Sequence, residues 1–246
     1  MKAIIIGIVI IVIIIIVVAY SDYIAWFFRL LKYKANHDSQ INKLVNENRI
    51  KRLVSNKDIK QYLRMVDENI KMLNYPVKKE EYMLSDNLER KLRYSRYDDK
   101  AVRELFSDIC KYMSVDESKV NLHIRRTSSK SQTASAGLYN EENGNIVLEI
   151  STYTVTDQII ATLAHELSHH IMLSNGIKME KRSTNEVYTD LTAIYMGFYK
   201  YFYRSYKERS RIIFDGESRI LVDRKKLGYI SYKDVKYAKK VLKKIK

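Results

Sequence analysis

The chain is poor in the residues that punctuate or staple a fold. Among 246 residues there is one cysteine, Cys110, one proline, Pro76, one tryptophan and only seven glycines. A single cysteine excludes an intrachain disulfide and any cysteine-rich metal cluster, and it fits a reducing compartment. So few prolines and glycines argue against a loop-rich protein and for long helices. Acidic residues are also outnumbered, 29 against 44 basic ones, for a net charge of +15. An anionic surface is therefore a natural neighbour.

What is abundant comes first at the N-terminus. Ala3 to Tyr20 is an almost unbroken Ile/Val run without a charge. At 1.5 Å per helical residue these eighteen positions cover about 27 Å, close to the hydrocarbon thickness of a bilayer. The run is longer than a signal-peptide core, so the reading is an uncleaved single-span anchor over residues 1–20. Lys2 stands alone before it, whereas Arg29, Lys32 and Lys34 follow. The positive-inside rule then puts the C-terminal bulk on the cytoplasmic side, with Trp26, Phe27 and Phe28 near the interface.

Residues 21–97 read as a helical juxtamembrane region. Ile59, Leu63, Val66, Ile70 and Leu73 recur at spacings of three and four and end before Pro76, which is one face of an amphipathic helix. Such a segment is either a spacer or regulatory arm, or a helical layer of the domain that follows. Basic and aromatic residues interleave over Lys91 to Tyr97, but no nucleic-acid-binding signature accompanies them, and a solvated helix face is the simpler account. No specific nucleic-acid partner is expected.

Beyond it, Asp99 to Met113 reads as a helix with Val102, Leu105, Phe106 and Ile109 on one side. Lys119 to Arg125, Thr133 to Tyr139 and Asn145 to Ile150 read as strands. The last two are joined by a turn containing Asn143-Gly144, a hairpin signal. The fold class is therefore α+β, with a short antiparallel or mixed sheet.

The chemistry lies in the next thirty residues. Ile160, Leu163, Leu167 and Ile171 form the apolar stripe of a helix that carries His165-Glu166-x-x-His169. Thr156 or Ser151 is its expected cap and Asn175-Gly176 its stop. Histidines at i and i+4 project from one helix face, where two imidazoles can bind one zinc ion at about 2.0–2.1 Å each. Glu166, beside the first ligand, can reach a metal-bound water as general base.

A catalytic zinc usually takes three protein ligands and one open position. Glu186 and Asp190 recur at i and i+4 on a second predicted helix, starting near Thr184 and burying Leu191, Ile194, Tyr195 and Phe198. Glu186 is the expected third ligand. Asp190, one turn on, can accept the free N–H of a ligating histidine. The phase of this helix is not set by sequence, so the two acids remain interchangeable.

His165-Glu166-x-x-His169 followed by Glu186-x-x-x-Asp190 resembles the gluzincin zinc metallopeptidases, the thermolysin-like group, and in particular their small, minimal members. The resemblance covers residues 98–246 and implies a zincin-like domain with two metal-bearing helices and a peptidase activity. It further implies that one strand borders the cleft and pairs with an extended peptide. Gly137, Leu138 and Tyr139 are the candidate substrate-binding edge.

The remaining features are minor. A final helix after Ser231 stripes Val235, Ala238, Val241, Leu242 and Ile245 on one side and lysines on the other. That basic face either lies on anionic lipid or is simply solvated. His170 points about 100° away from the histidine pair, and His123 and His37 read as structural. Tyr188 or another tyrosine is the expected donor to a reaction oxyanion. The expectation is a membrane-anchored zinc metalloendopeptidase acting on a peptide or protein. The alternative is a catalytically silent, membrane-tethered scaffold of the same fold.

Overall fold

The computed structural model describes residues 54–76, 80–127, 137–151, 154–206, 210–214, 220–224 and 229–245. The N-terminal apolar run, its flanking aromatics and His37 lie outside the described residues. Within those residues no helix is long and apolar enough to cross a membrane.

Helix α1 (Asn56–Met72) starts at a reciprocal cap. The Ser55 hydroxyl accepts from the Asp58 amide, and the Asp58 carboxylate accepts from the Ser55 amide. Its predicted stripe is buried at Ile59, Leu63, Val66 and Ile70. Each of these side chains contributes roughly 1.5–3 kcal/mol relative to exposure. Helix α2 (Asp86–Tyr94) is capped by Ser85 and buries Leu88 and Leu92. Helix α3 (Asp99–Met113) is capped by Asp98 and ends at Ser114 in the left-handed region.

These helices correct the expected domain boundary. Residues 52–246 form one compact unit, with α1 packed on two of the later helices. The division expected at residue 97 does not exist, because the apolar faces of α1 and α2 bury in the same core as the helices that follow. Of the two accounts of this segment, the helical layer describes 54–76 and 80–97.

The sheet is mixed. Strands β1 (Asn121–Thr127), β2 (Gly137–Asn140) and β3 (Asn145–Ser151) lie in the order β1-β3-β2. β1 runs parallel to β3, and β2 pairs antiparallel to it through the predicted Asn-Gly turn. β1 begins two residues later than expected because Glu117–Lys119 forms a 3₁₀ turn. Residues 128–136, which include most of the second predicted strand, lie outside the described residues. The strand order makes β2 an edge, and it packs against the next helix.

That helix, α4 (Thr156–Leu173), is buried nearly all round, as Ile160, Leu163, Leu167 and Ile171 require, and its polar residues are buried too. Neither predicted cap is used. Val155 occupies the N-cap and donates its amide to Gln158 Oε1, while the Thr154 hydroxyl accepts from the Ser151 amide. Helix α5 (Arg182–Ala193) packs against α4 and starts two residues before the expected Thr184.

α5 runs into one π-helical turn, Ile194–Phe198, that bends at Gly197 with φ 110°. A side chain there would strike the Tyr112 hydroxyl, and the Gly197 carbonyl accepts from the Tyr82 amide. The positive φ and the blocked side-chain space both require glycine here. The bend delivers helix α6 (Tyr199–Tyr206) with Tyr201, Phe202 and Tyr206 buried. After α6 comes an antiparallel pair, β4 (Ser210–Phe214) and β5 (Ile220–Arg224).

Helix α7 (Tyr232–Ile245) has the predicted Ser231 cap, reciprocated by Asp234. It buries Val235, Ala238, Val241 and Leu242. Lys233, Lys236, Lys240, Lys243 and Lys244 are exposed. Lys239 instead lies over the Tyr199 ring and pairs with Glu81 at 2.6 Å.

Candidate metal centre

His165 and His169 sit one turn apart on α4, and the apolar stripe of that helix fixes which way they face. Their rings stand nearly perpendicular, at 85°, with centroids 4.7 Å apart. Packing of α5 against α4 brings Glu186 to them. Glu186 Oε2 is 3.2 Å from His165 Nε2 and 3.1 Å from His169 Nε2. One ligand atom from each of the three residues lies within 4.8 Å of the others.

The far sides of both rings are held. His165 Nδ1 is 2.8 Å from Asp190 Oδ1, to which it donates. The Thr189 hydroxyl donates its one proton to the Asn185 carbonyl at 2.9 Å, so it accepts from His169 Nδ1–H at 3.2 Å. With Nδ1 of each ring turned to its own acceptor, both Nε2 atoms face the Glu186 oxygen and are free to bind a metal once unprotonated. Four ligands at about 2.0–2.1 Å in a tetrahedron stand about 3.3 Å from each other. The two nitrogen–oxygen separations match that edge, so the three residues fit a zinc ion.

The open choice between the two acids is thereby resolved in space. Glu186 lies on the Nε2 side of His165 and Asp190 on the Nδ1 side. Asp190 is 0 % exposed and gathers four donors. His165 Nδ1 and the Tyr206 hydroxyl, at 2.8 Å, share Oδ1; the amides of Tyr229, at 2.8 Å, and Ile230, at 3.3 Å, share Oδ2.

Glu166 is 4 % exposed. Burial raises its pKa above the usual carboxylate value, with His165 and His169 opposing. Burial works to neutralise His165, but hydrogen bonds to Asp190 and Glu186 outweigh it and push its pKa up to about 10. Burial also works to raise Glu186, yet its bonds to the two histidines bring it down to about 2. In the metal-free chain, then, a proton on His165 balances the charge of Glu186.

β2 crosses beside this centre. Gly137 lies against the Glu166 side chain, and the Tyr139 amide reaches the Glu166 carboxylate. The Tyr139 ring is parallel to that of His169, within 5°, at 6.5 Å between centroids, and its hydroxyl is 3.0 Å from His170 Nδ1. Leu138 points the other way and is 61 % exposed.

Several side chains fall elsewhere. Tyr188 is buried, and its hydroxyl accepts from Asn69 at 2.8 Å. It cannot serve as the oxyanion donor that the sequence suggested. His170 turns from the histidine pair towards Tyr139. His123 is exposed on β1.

The structure adds residues that local pattern could not reveal. Tyr229 stacks over His165 at 5.8 Å and 21° and is 38 % exposed. Burial, then the carboxylates of Glu186, Asp190 and Glu166, raise its phenol pKa, with Arg182 opposing. Tyr206 reaches the site because the bend at Gly197 lays α6 on α4, and Tyr229 because the chain returns after α6. Thr189 was adjacent to a singled-out residue, but its role depends on the phase of α5.

No family model, no curated protein and no solved structure matches the chain.

Proposed function

We propose that this chain is a zinc-dependent endopeptidase of the gluzincin kind. The observation that carries the reading is the convergence of His165 Nε2, His169 Nε2 and Glu186 Oε2, with both histidines fixed from behind by Asp190 and Thr189. Zinc in this position supplies a Lewis acid for the scissile carbonyl and lowers the pKa of a bound water towards 7.

The side chains divide the remaining work. Glu166 takes the proton of the attacking water on a carboxylate oxygen and passes it to the leaving amine nitrogen. Its raised pKa suits both halves of that transfer. Tyr229, over His165 and partly exposed, donates its hydroxyl proton in a hydrogen bond to the oxyanion. β2, Gly137 to Tyr139, has no strand on its outer edge among the described residues, which supports its main-chain groups as the pairing edge for an extended peptide. The apolar run over residues 3–20 supports a single-span anchor, and the Arg29, Lys32 and Lys34 side supports a cytoplasmic domain.

Elemental analysis of the full chain in detergent, followed by peptidase assay, tests the proposal. The parent is expected to carry about one zinc per chain and to cleave unstructured polypeptide. Glu166→Gln keeps the zinc and loses cleavage, and Glu186→Ala loses the zinc. A parent purified without chelators that holds no zinc would sink the reading. Zinc without cleavage of any polypeptide would leave the silent scaffold.

A further inference from the structure

The placement of β2 has a meaning separate from substrate pairing. Gly137 is where the strand comes closest to α4. A Cβ at this position would come within 2.6 Å of Glu166 Cγ and Cδ, and closer still to Oε1. Those distances lie far inside van der Waals contact, and the obstacle is a buried carboxylate with little room to retreat. Tyr139, two residues on, lies on the same face of β2 as Gly137, so both turn towards α4.

Tyr139 also secures the strand. Its ring lies parallel to His169, and its hydroxyl meets His170 Nδ1 at 3.0 Å. His169 and His170 are neighbours on the helix that carries Glu166. The strand is therefore bolted to the helix on the far side of the carboxylate it braces.

We infer that β2 is a positioning strand for the general base: Gly137 leaves the space in which Glu166 lies, and the Tyr139–His170 hydrogen bond holds the strand against that carboxylate. This rests on the peptidase reading for its kinetic consequences but not for its structural one. His170, which stands apart from the ligand pair, acquires a role as a positioning residue acting through Tyr139. A strand that served only as a substrate edge would govern binding of the peptide. A strand that aims the base governs the chemical step.

Two experiments on the full chain test this. In steady-state kinetics, Gly137→Ala is expected to lower kcat by about 10²-fold, the scale of a 1 Å misplacement, with KM within about twofold, zinc content retained and the melting temperature lowered by the added methyl group. Tyr139→Phe keeps the ring and deletes only the hydroxyl, and is expected to lower kcat by about tenfold. His170→Ala should match it, and the double variant should be no worse than either alone, since both remove one interaction. A rise in KM with kcat unchanged, or parental kinetics in both Gly137→Ala and Tyr139→Phe, would overturn the inference while leaving the peptidase intact.

The second experiment needs no turnover. In protein labelled with ¹⁵N-tyrosine, the Tyr139 amide resonance is expected to move in Glu166→Gln, and its hydrogen exchange to quicken in Tyr139→Phe. An amide indifferent to both substitutions would overturn the inference even if the chain cleaves nothing.

Discussion

Asp190 and His165 form the joint on which the candidate metal centre turns: a fully buried carboxylate 2.8 Å from the imidazole Nδ1. The same carboxylate accepts from the Tyr206 hydroxyl and from the amides of Tyr229 and Ile230. One side chain thus ties the orientation of a candidate metal ligand to the docking of the segment that leads into α7.

Removing that joint should be costly in two currencies. Asp190→Ala leaves three N–H groups and one phenol unpaired in the interior. It is expected to destabilise the fold by roughly 3–5 kcal/mol, as when one partner is taken from a buried charged network. Zinc affinity should fall a further 10–100-fold in whatever protein stays folded. Denaturant titration and competition with a coloured chelator measure the two effects. A variant with parental stability and affinity would show that the four donors are satisfied without it.

Tyr229 makes a sharper kinetic prediction. Tyr229→Phe retains the ring over His165 and the amide on Asp190 and removes only the hydroxyl. A loss of about 10²–10³ in kcat with unchanged zinc content is expected for a deleted oxyanion donor. If kcat is parental, another group stabilises the oxyanion.

Zinc binding should release a proton. With its pKa pushed up to about 10, His165 is protonated at pH 7 in the metal-free chain, and its Nε2 must shed that proton to bind metal. Glu186, down to about 2, is already ionised and releases none. Calorimetry at pH 7 in buffers of differing ionisation heat should report about one proton per zinc. Apparent affinity should rise with pH up to about 10. A heat independent of the buffer would contradict the protonated pair.

The same shifts set the acid and alkaline limits of the metal-free fold. His165 is raised from its ordinary 6.5, so its contribution is complete below 6.5 and is lost as pH rises through about 10. Glu186 is lowered from 4.5, so its contribution is complete above 4.5 and is lost as pH falls through about 2. Chelator-treated protein should therefore gain most from the pair between 4.5 and 6.5. Comparing pH-dependent melting of the parent with that of Glu186→Gln isolates the effect; identical profiles would exclude the pair as its source.

Cys110 should be inert in the folded chain. It is buried on α3, and burial, followed by the charge of Glu117, pushes its thiol up to about 12. A thiol reagent at pH 8 is expected to modify none of the native protein and one group per chain once it is unfolded. Rapid native labelling would mean that α3 opens readily.

Much of the fold was legible because the signals are local. The stripe of α1, the cap at Ser231, the Asn-Gly hairpin and the histidine pair one turn apart each depend on residues within a few positions of one another. Their interactions survive whatever the rest of the chain does. The fold class followed from the order of these patterns.

What failed was long-range. Whether Glu186 or Asp190 faces the histidine Nε2 atoms depends on how α5 rotates as it packs on α4, which no spacing within α5 determines. The boundary expected at residue 97 disappeared because α1 and α2 bury their faces in the later helices. The parallel pairing of β1 with β3, the helix after Gly197, and the convergence of Thr189, Tyr206 and Tyr229 likewise arise between segments far apart in the chain. The sequence by itself determined the helices, the hairpin and the candidate ligand types, since periodicity and residue type reside in the chain. Only the tertiary structure decided which atoms meet, since helix phase and chain return are settled by burial in a shared core.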